Sequence, residues 1–105
     1  MIPALKLPHK VHIQAKTITY NDIRMPVESW NTVAAINADI QPIGGEIAER
    51  EYGIVEQGIT LRMFCNYSSA VQLSRRVLFN DRAYEIRYIA AFYRNHIEAL
   101  LRAVE

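Results

Sequence analysis

Two stretches of this sequence alternate apolar and polar residues with a period of two, and that period commits the chain to β architecture. In KVHIQAKTITY, Lys10 to Tyr20, residues Val11, Ile13 and Ala15 face one way and His12, Gln14 and Lys16 the other. In WNTVAAINADIQP, Trp30, Ala34, Ile36, Ala38 and Ile40 share one face, with Asn31, Ala35, Asn37, Asp39 and Gln41 opposite. Successive side chains of a strand point to opposite sides, so each stretch offers one face to a core and one to water. Asn21-Asp22 and Pro26 mark a turn between them. Pro42 has no N–H to donate and ends the second ladder. Gly44 and Gly45 then let the chain leave the sheet, and the acid-rich run GEIAEREY tolerates one or two helical turns, with Glu46 at their positive N-terminal end.

The second half repeats the style. ITLRMFCNY places Ile59, Leu61, Met63, Cys65 and Tyr67 on one side. SSAVQLS, residues 68–74, has no pattern and reads as a loop. RRVLFNDRAYEIRYIA reads as a hairpin, turning at Asn80-Asp81, two residue types that tolerate left-handed backbone. Tyr84, Ile86 and Tyr88 share a face of its second strand. The tail RNHIEALLRAVE favours helix by propensity and a closing strand by position. Together these segments predict a mainly β single domain over residues 1–105. It is a small antiparallel barrel or sandwich of five to six strands with one short helix.

Composition excludes more than it selects. A chain of 105 residues with half of them hydrophobic and 22% charged is an ordinary globular domain. One cysteine allows no intrachain disulfide, and no apolar run approaches the roughly 18 residues of a membrane-spanning helix. The net charge of +1 carries no argument for nucleic acid or membrane, but its distribution is uneven. Met1–Val27 carries +3, Glu28–Glu56 carries −5, and Arg75–Glu105 carries +2. An acidic middle between basic ends is either a solvated surface or two poles suited to head-to-tail contact between copies.

No catalytic or metal constellation emerges. His9 and His12 lie three apart in extended chain, hence on opposite sides, and with His96 they lack a completing cysteine or carboxylate set. Cys65 shares the face of Leu61 and Met63 and reads as an inert core thiol. Glu46, Glu49 and Glu51 could supply a carboxylate pair, but nothing in the pattern separates their pKa values. The glycines of PIGGE are followed by acid, not by the Lys-Ser/Thr of a phosphate loop. An enzyme and a cofactor are therefore not expected. The arginines and aromatics of the last third leave open a small barrel that binds single-stranded nucleic acid.

The order of segments resembles the head-closure, or head–tail joining, proteins of tailed bacteriophages and prophages. The resemblance rests on Pro26, Trp30, Val33, Ala38, Pro42 and Gly45 in order, then Arg62 and Tyr67, then RVLFNDRAYEI from Arg76 to Ile86. It departs from the family pattern at Asn80-Asp81, where glycines are usual, at Asn66, where Arg is common, and before Trp30, where a glycine is missing. Trp30, Pro42, Gly45, Tyr84 and Ile86 are the fold-making positions.

What the resemblance implies is a virion structural protein made in the host cytoplasm, with no membrane partner. Such subunits form a ring under the portal and its adaptor, close the DNA channel, and offer a surface to the tail or tail-terminator protein. Packaged DNA lies near that channel, and the free protein is a monomer. On this reading Glu46, Glu49, Arg50, Glu51, Glu56, Arg75, Arg76 and Arg94 face a neighbouring subunit or partner. A mobile acidic segment near 44–58 and a mobile loop near 68–74 would become ordered on assembly.

Overall fold

The computed structural model describes residues 7–53, 58–92 and 96–104. Its elements are β1 (His9–Tyr20), β2 (Pro26–Pro42), α1 (Gly45–Tyr52), β3 (Ile59–Asn66), β4 (Arg76–Phe79), β5 (Arg82–Phe92) and β6 (His96–Ala103). All strand pairs are antiparallel, in the ring order β1-β2-β3-β6-β5-β4. The ring closes where His12–Gln14 of β1 meet Arg76–Leu78 of β4, so the sheet forms a closed barrel. The ambiguous tail is a strand, paired on both sides by β3 and β5. The hairpin turn at Asn80-Asp81 is as expected, with both residues left-handed at φ 51° and 62°.

The barrel is filled by Val11, Ile13, Ala38, Ile40, Met63, Cys65, Val77, Ile86, Ile97, Ala99 and Leu101. Removing each large aliphatic side chain from water contributes about 1.5–3 kcal/mol, before the entropy cost of ordering the chain. A second, smaller cluster sits outside the barrel wall. There Ala48, Ile59 and Leu100 are buried against Ile43, Tyr52 and Tyr88. Leu100 lies between the inward Ala99 and Leu101, so it points outward, and α1 covers it. This is why β6 carries the unbroken apolar run Ala99–Leu101: both of its faces are buried.

The helix begins after Gly44, whose backbone is extended at φ −94°, ψ 165°. Gly44 therefore leaves the sheet without using the freedom special to glycine. That freedom is used at the other end. Gly53 adopts φ 70° and donates its N–H to the Glu49 carbonyl at 2.9 Å, the left-handed helix stop that glycine accepts most readily. Glu46 in the first turn and Arg50 in the last both complement the helix dipole.

Two bulges redirect aromatic residues. Ile13 pairs with Ala34 but Gln14 pairs with Thr32, so Val33 is an extra residue and the side-chain alternation inverts there. Trp30, expected on the core face with Ala34 and Ile36, is instead on the outer face. The same shift falls between Ile86 and Tyr88. Tyr84 packs against the core with the buried Ile86, whereas Tyr88 leaves the shared face and lies under α1.

β1 and β2 outlast the barrel. Beyond Gln14, residues Ala15–Tyr20 pair only with Pro26–Asn31, forming a two-stranded arm. Overall extents of 51 × 29 × 26 Å reflect this projection. Its tip is ordered by Asn21, whose carboxamide oxygen accepts the N–H groups of Ile23 and Met25 at 3.1 and 2.9 Å. Arg24 sits there at φ 60°. From the strand directions, the arm leaves the same end of the barrel as the β3–β4 connection, while α1 connects strands at the opposite end.

Candidate functional site

The acidic helix is tied to the barrel wall by Arg62. Leu61 and Met63 belong to the core, so Arg62 between them points outward. Its Nη1 donates to Glu51 Oε2 at 2.8 Å and approaches Tyr52 Oη at 3.5 Å, and its Nη2 donates to Gln41 Oε1 at 3.1 Å. The guanidinium carbon also stands 4.9 Å from the centroid of Phe64. Tyr52 donates its hydroxyl to Glu98 Oε1 at 2.5 Å, linking α1 to β6. Burial, then the bond to Glu98, push the Tyr52 phenol above its usual 10.0. Burial pulls against the Arg62 charge, but Tyr52, Glu51 and Glu98 outweigh it and raise its pKa. Arg62 Nε is buried without a partner, a cost that the bonds of its two Nη groups offset.

Of the expected interface residues, Glu46, Glu49 and Arg50 lie on α1 and are exposed. Glu51 is exposed too, but its carboxylate is held by Arg62. Arg75 and Arg76 sit at the far end of the barrel, away from α1, and both are half-buried. Arg75 Nη1 donates to the Ala70 carbonyl at 2.9 Å. The guanidinium of Arg76 covers Trp30. Glu56 and Arg94 lie outside the described residues, as does part of the acidic segment. The geometry thus separates a helix face with free acids from two arginines that fasten local structure.

Residues 68–74 lie across the end of the barrel. Val71 is buried in the core, and its N–H meets the Ser68 carbonyl at 3.2 Å. Ser74 donates its N–H to Ile86 and accepts its place at φ 68°. Leu73 points away and is exposed. Cys65 is fully buried, and desolvation pushes its thiol up to about 11, which suits a packing role.

The arginine–aromatic third offers no stacking platform among its described side chains. Tyr84 packs on the core, Tyr88 lies under α1, and Glu85 accepts from Arg87 at 2.7 Å and Arg102 at 3.2 Å. His9 Nδ1 accepts the Ile40 N–H at 3.1 Å while its ring meets Phe79 edge-on. Among the described residues no group of three His, Cys, Asp or Glu side chains could hold a metal ion. None of their helices is long and apolar enough to cross a membrane. Reasoning from sequence alone missed Arg62 as the anchor of α1, together with Tyr52 and Glu98. A lone arginine between apolar strand residues, facing an acidic segment, was the available signal.

Comparison with known proteins gives a family and a fold. Residues 2–103 match the family model described as phage head completion protein. No curated protein matches the sequence. The chain is similar in fold to the solution structure of protein SF1141 from Shigella flexneri 2a, at 16% identity. That match covers 97% of this chain and 96% of that one, with a TM-score of 0.77. It is also similar to a chain of the virion of a native gene transfer agent particle, at 11% identity. Here the match covers 95% of this chain and 97% of that one, with a TM-score of 0.63.

Proposed function

This chain belongs to the phage head completion protein family, whose members are structural components of the virion, and on that premise we propose that it is a head–tail connector subunit. Copies form a ring under the portal and its adaptor, close the DNA channel after packaging, and present the surface that the tail or tail-terminator protein binds. The family match over residues 2–103 carries this reading. The exposed acids on α1 support it, since a charged face of this kind can fix register against a neighbour or partner.

Within that role, Arg62 holds α1 so that Glu46, Glu49 and Arg50 are presented on a fixed support. Glu56 and Arg94 are further contacts with a neighbouring subunit or partner, and packaged DNA ends near the closed channel. The free subunit is a monomer whose acidic segment, 44–58, and loop, 68–74, become better protected on assembly.

Deleting the gene from the phage or prophage that encodes this chain tests the proposal. The expected result is DNA-filled heads that lose their DNA on standing, free tails, and rescue by the wild-type chain. Normal tailed, infectious particles without the protein would overturn it.

A further inference from the structure

We propose that the β1–β2 arm is the donor half of the contact between neighbouring copies, seating its apolar tip on the capped barrel end of a second copy, around Leu73 and Tyr67. This rests on the ring reading above and adds which surfaces meet.

The arm lacks support in the single chain. Its six residue pairs, Ala15–Tyr20 with Pro26–Asn31, have no further strand on either side among the described residues. A two-stranded ribbon is at best marginal in water. Yet it carries Ile18, Tyr20 (71% exposed), Ile23 (77% exposed), Met25 and Val27. Apolar side chains gathered in this way on a projecting element mark a contact with another macromolecule.

The charge of the arm selects a protein surface over DNA. Lys16 is neutralised by Glu28 at 3.0 Å, and Arg24 is balanced in sequence by Asp22, so the arm is neutral overall. A phosphate-binding element would need an excess of cations.

A second copy is the partner that the rest of the chain provides for. Among the described residues, the exposed large hydrophobic side chains fall into two groups: the arm with Val33 at its root, and Tyr67 with Leu73 on the β3–β4 connection. Leu73, 59% exposed, is presented by a segment fastened to the barrel at several points. Val71 is buried beneath it, Arg75 bonds the Ala70 carbonyl, and Ser74 bonds Ile86. Both groups lie at the same end of the barrel.

Reach fits as well. Six residues of strand extend roughly 20 Å, and the two short extents of the molecule are 29 and 26 Å. Barrel strands cross the barrel axis obliquely, typically by 35–45°. An arm of that length spans most of the width of an adjacent barrel, and Ile23 and Leu73 are both left exposed, so the tip does not cover its own Leu73. Donor and acceptor at different places on one chain make a heterologous contact, the kind that closes into rings. The Asn21 bonds that order the tip reduce what must be immobilised on docking.

A photo-crosslinking residue, benzoylphenylalanine, placed at Ile23 in assembled particles tests this. Mass spectrometry is expected to find the crosslink on this chain's own tryptic peptide spanning residues 63–75. A crosslink to another virion protein, or none, would overturn the inference. Images of uncrosslinked connectors read the ring separately: a ring with the crosslink elsewhere removes the arm contact alone, and no ring removes both readings. As a second measurement, Leu73→Asp and Ile23→Asp should each weaken association of the chain into connectors, read as its copies per particle, about tenfold or more while leaving the free monomer's melting unchanged. Combining them should cost little beyond either alone. Unchanged association in Leu73→Asp would also overturn it.

Discussion

The guanidinium of Arg76 lies over the indole of Trp30, its central carbon 4.0 Å from the ring centroid. Gln14 pairs with Arg76 on one side and Thr32 on the other, so the contact crosses β1 at the root of the arm. A cation over a tryptophan face contributes about 0.5–2 kcal/mol, and the arginine stem covers the ring as well.

Arg76→Ala should therefore destabilise the chain by about 1–2 kcal/mol. Trp30 is the only tryptophan, so its emission reports this site alone. The expected spectrum is red-shifted in the variant, with faster quenching by acrylamide. Unchanged emission would mean that the stack does not persist in solution.

Arg62→Met should release Glu51 and Tyr52 together. Hydrogen exchange in Glu46–Tyr52 is expected to rise while β3 and β6 keep their protection. Global stability should fall by about 1–3 kcal/mol, the range for removing charged hydrogen bonds at a half-buried site. Equal loosening of α1 and the strands would contradict the idea that Arg62 acts as the local tether.

Hydrogen exchange in the free wild-type protein tests the wider claim about assembly. The acidic segment and residues 68–74 should exchange faster than the β4–β5 hairpin and slow down within particles. Protection equal to the hairpin in the free protein would remove ordering on assembly from the account.

Tyr52 gives a pH test. Its folded pKa lies above the unfolded value of 10.0, so folding favours the protonated phenol. That contribution is complete below pH about 10 and is lost as the pH rises through the folded value. Ultraviolet titration should show one late-ionising tyrosine that is absent from Tyr52→Phe, and the wild type should lose more stability than Tyr52→Phe over the same rise. Equal loss of stability in both proteins would contradict the burial of the Tyr52 phenol and its bond to Glu98.

Cys65 gives a test of packing. With its thiol pushed up to about 11 and no exposed surface, it should fail to react with a disulfide reagent at pH 8 until denaturant is added. Rapid reaction in buffer would indicate an open barrel.

Much of the barrel was legible in the sequence because its signals are local. The alternation in Val11–Ala15 and Leu61–Cys65 depends on a period of two, and the Asn80-Asp81 turn depends on backbone preference. The short helix was legible from glycine, acids and its position after Pro42. The tail was open between helix and closing strand, since helix propensity in EALLRAVE opposed its position, and pairing with β3 and β5 overrode the propensity. The bulges at Val33 and before Tyr88 have no compositional mark, so Trp30 and Tyr88 were assigned to the wrong face. The arm was hidden because Pro26–Ser29 has little strand character and is extended only through its partner Thr17–Tyr20. Arg62 was seen as part of a family pattern, but its grip on Glu51 is a contact across the fold, which spacing along the chain does not encode.

The central claim is that this chain builds a connector ring between head and tail. A cryo-electron microscopy reconstruction of the neck of particles carrying it tests that most directly. The account predicts a ring of six-stranded barrels between the portal–adaptor assembly and the tail, with each arm resting on the next barrel. A neck that lacks these barrels, or holds them singly with no contact between copies, would contradict it.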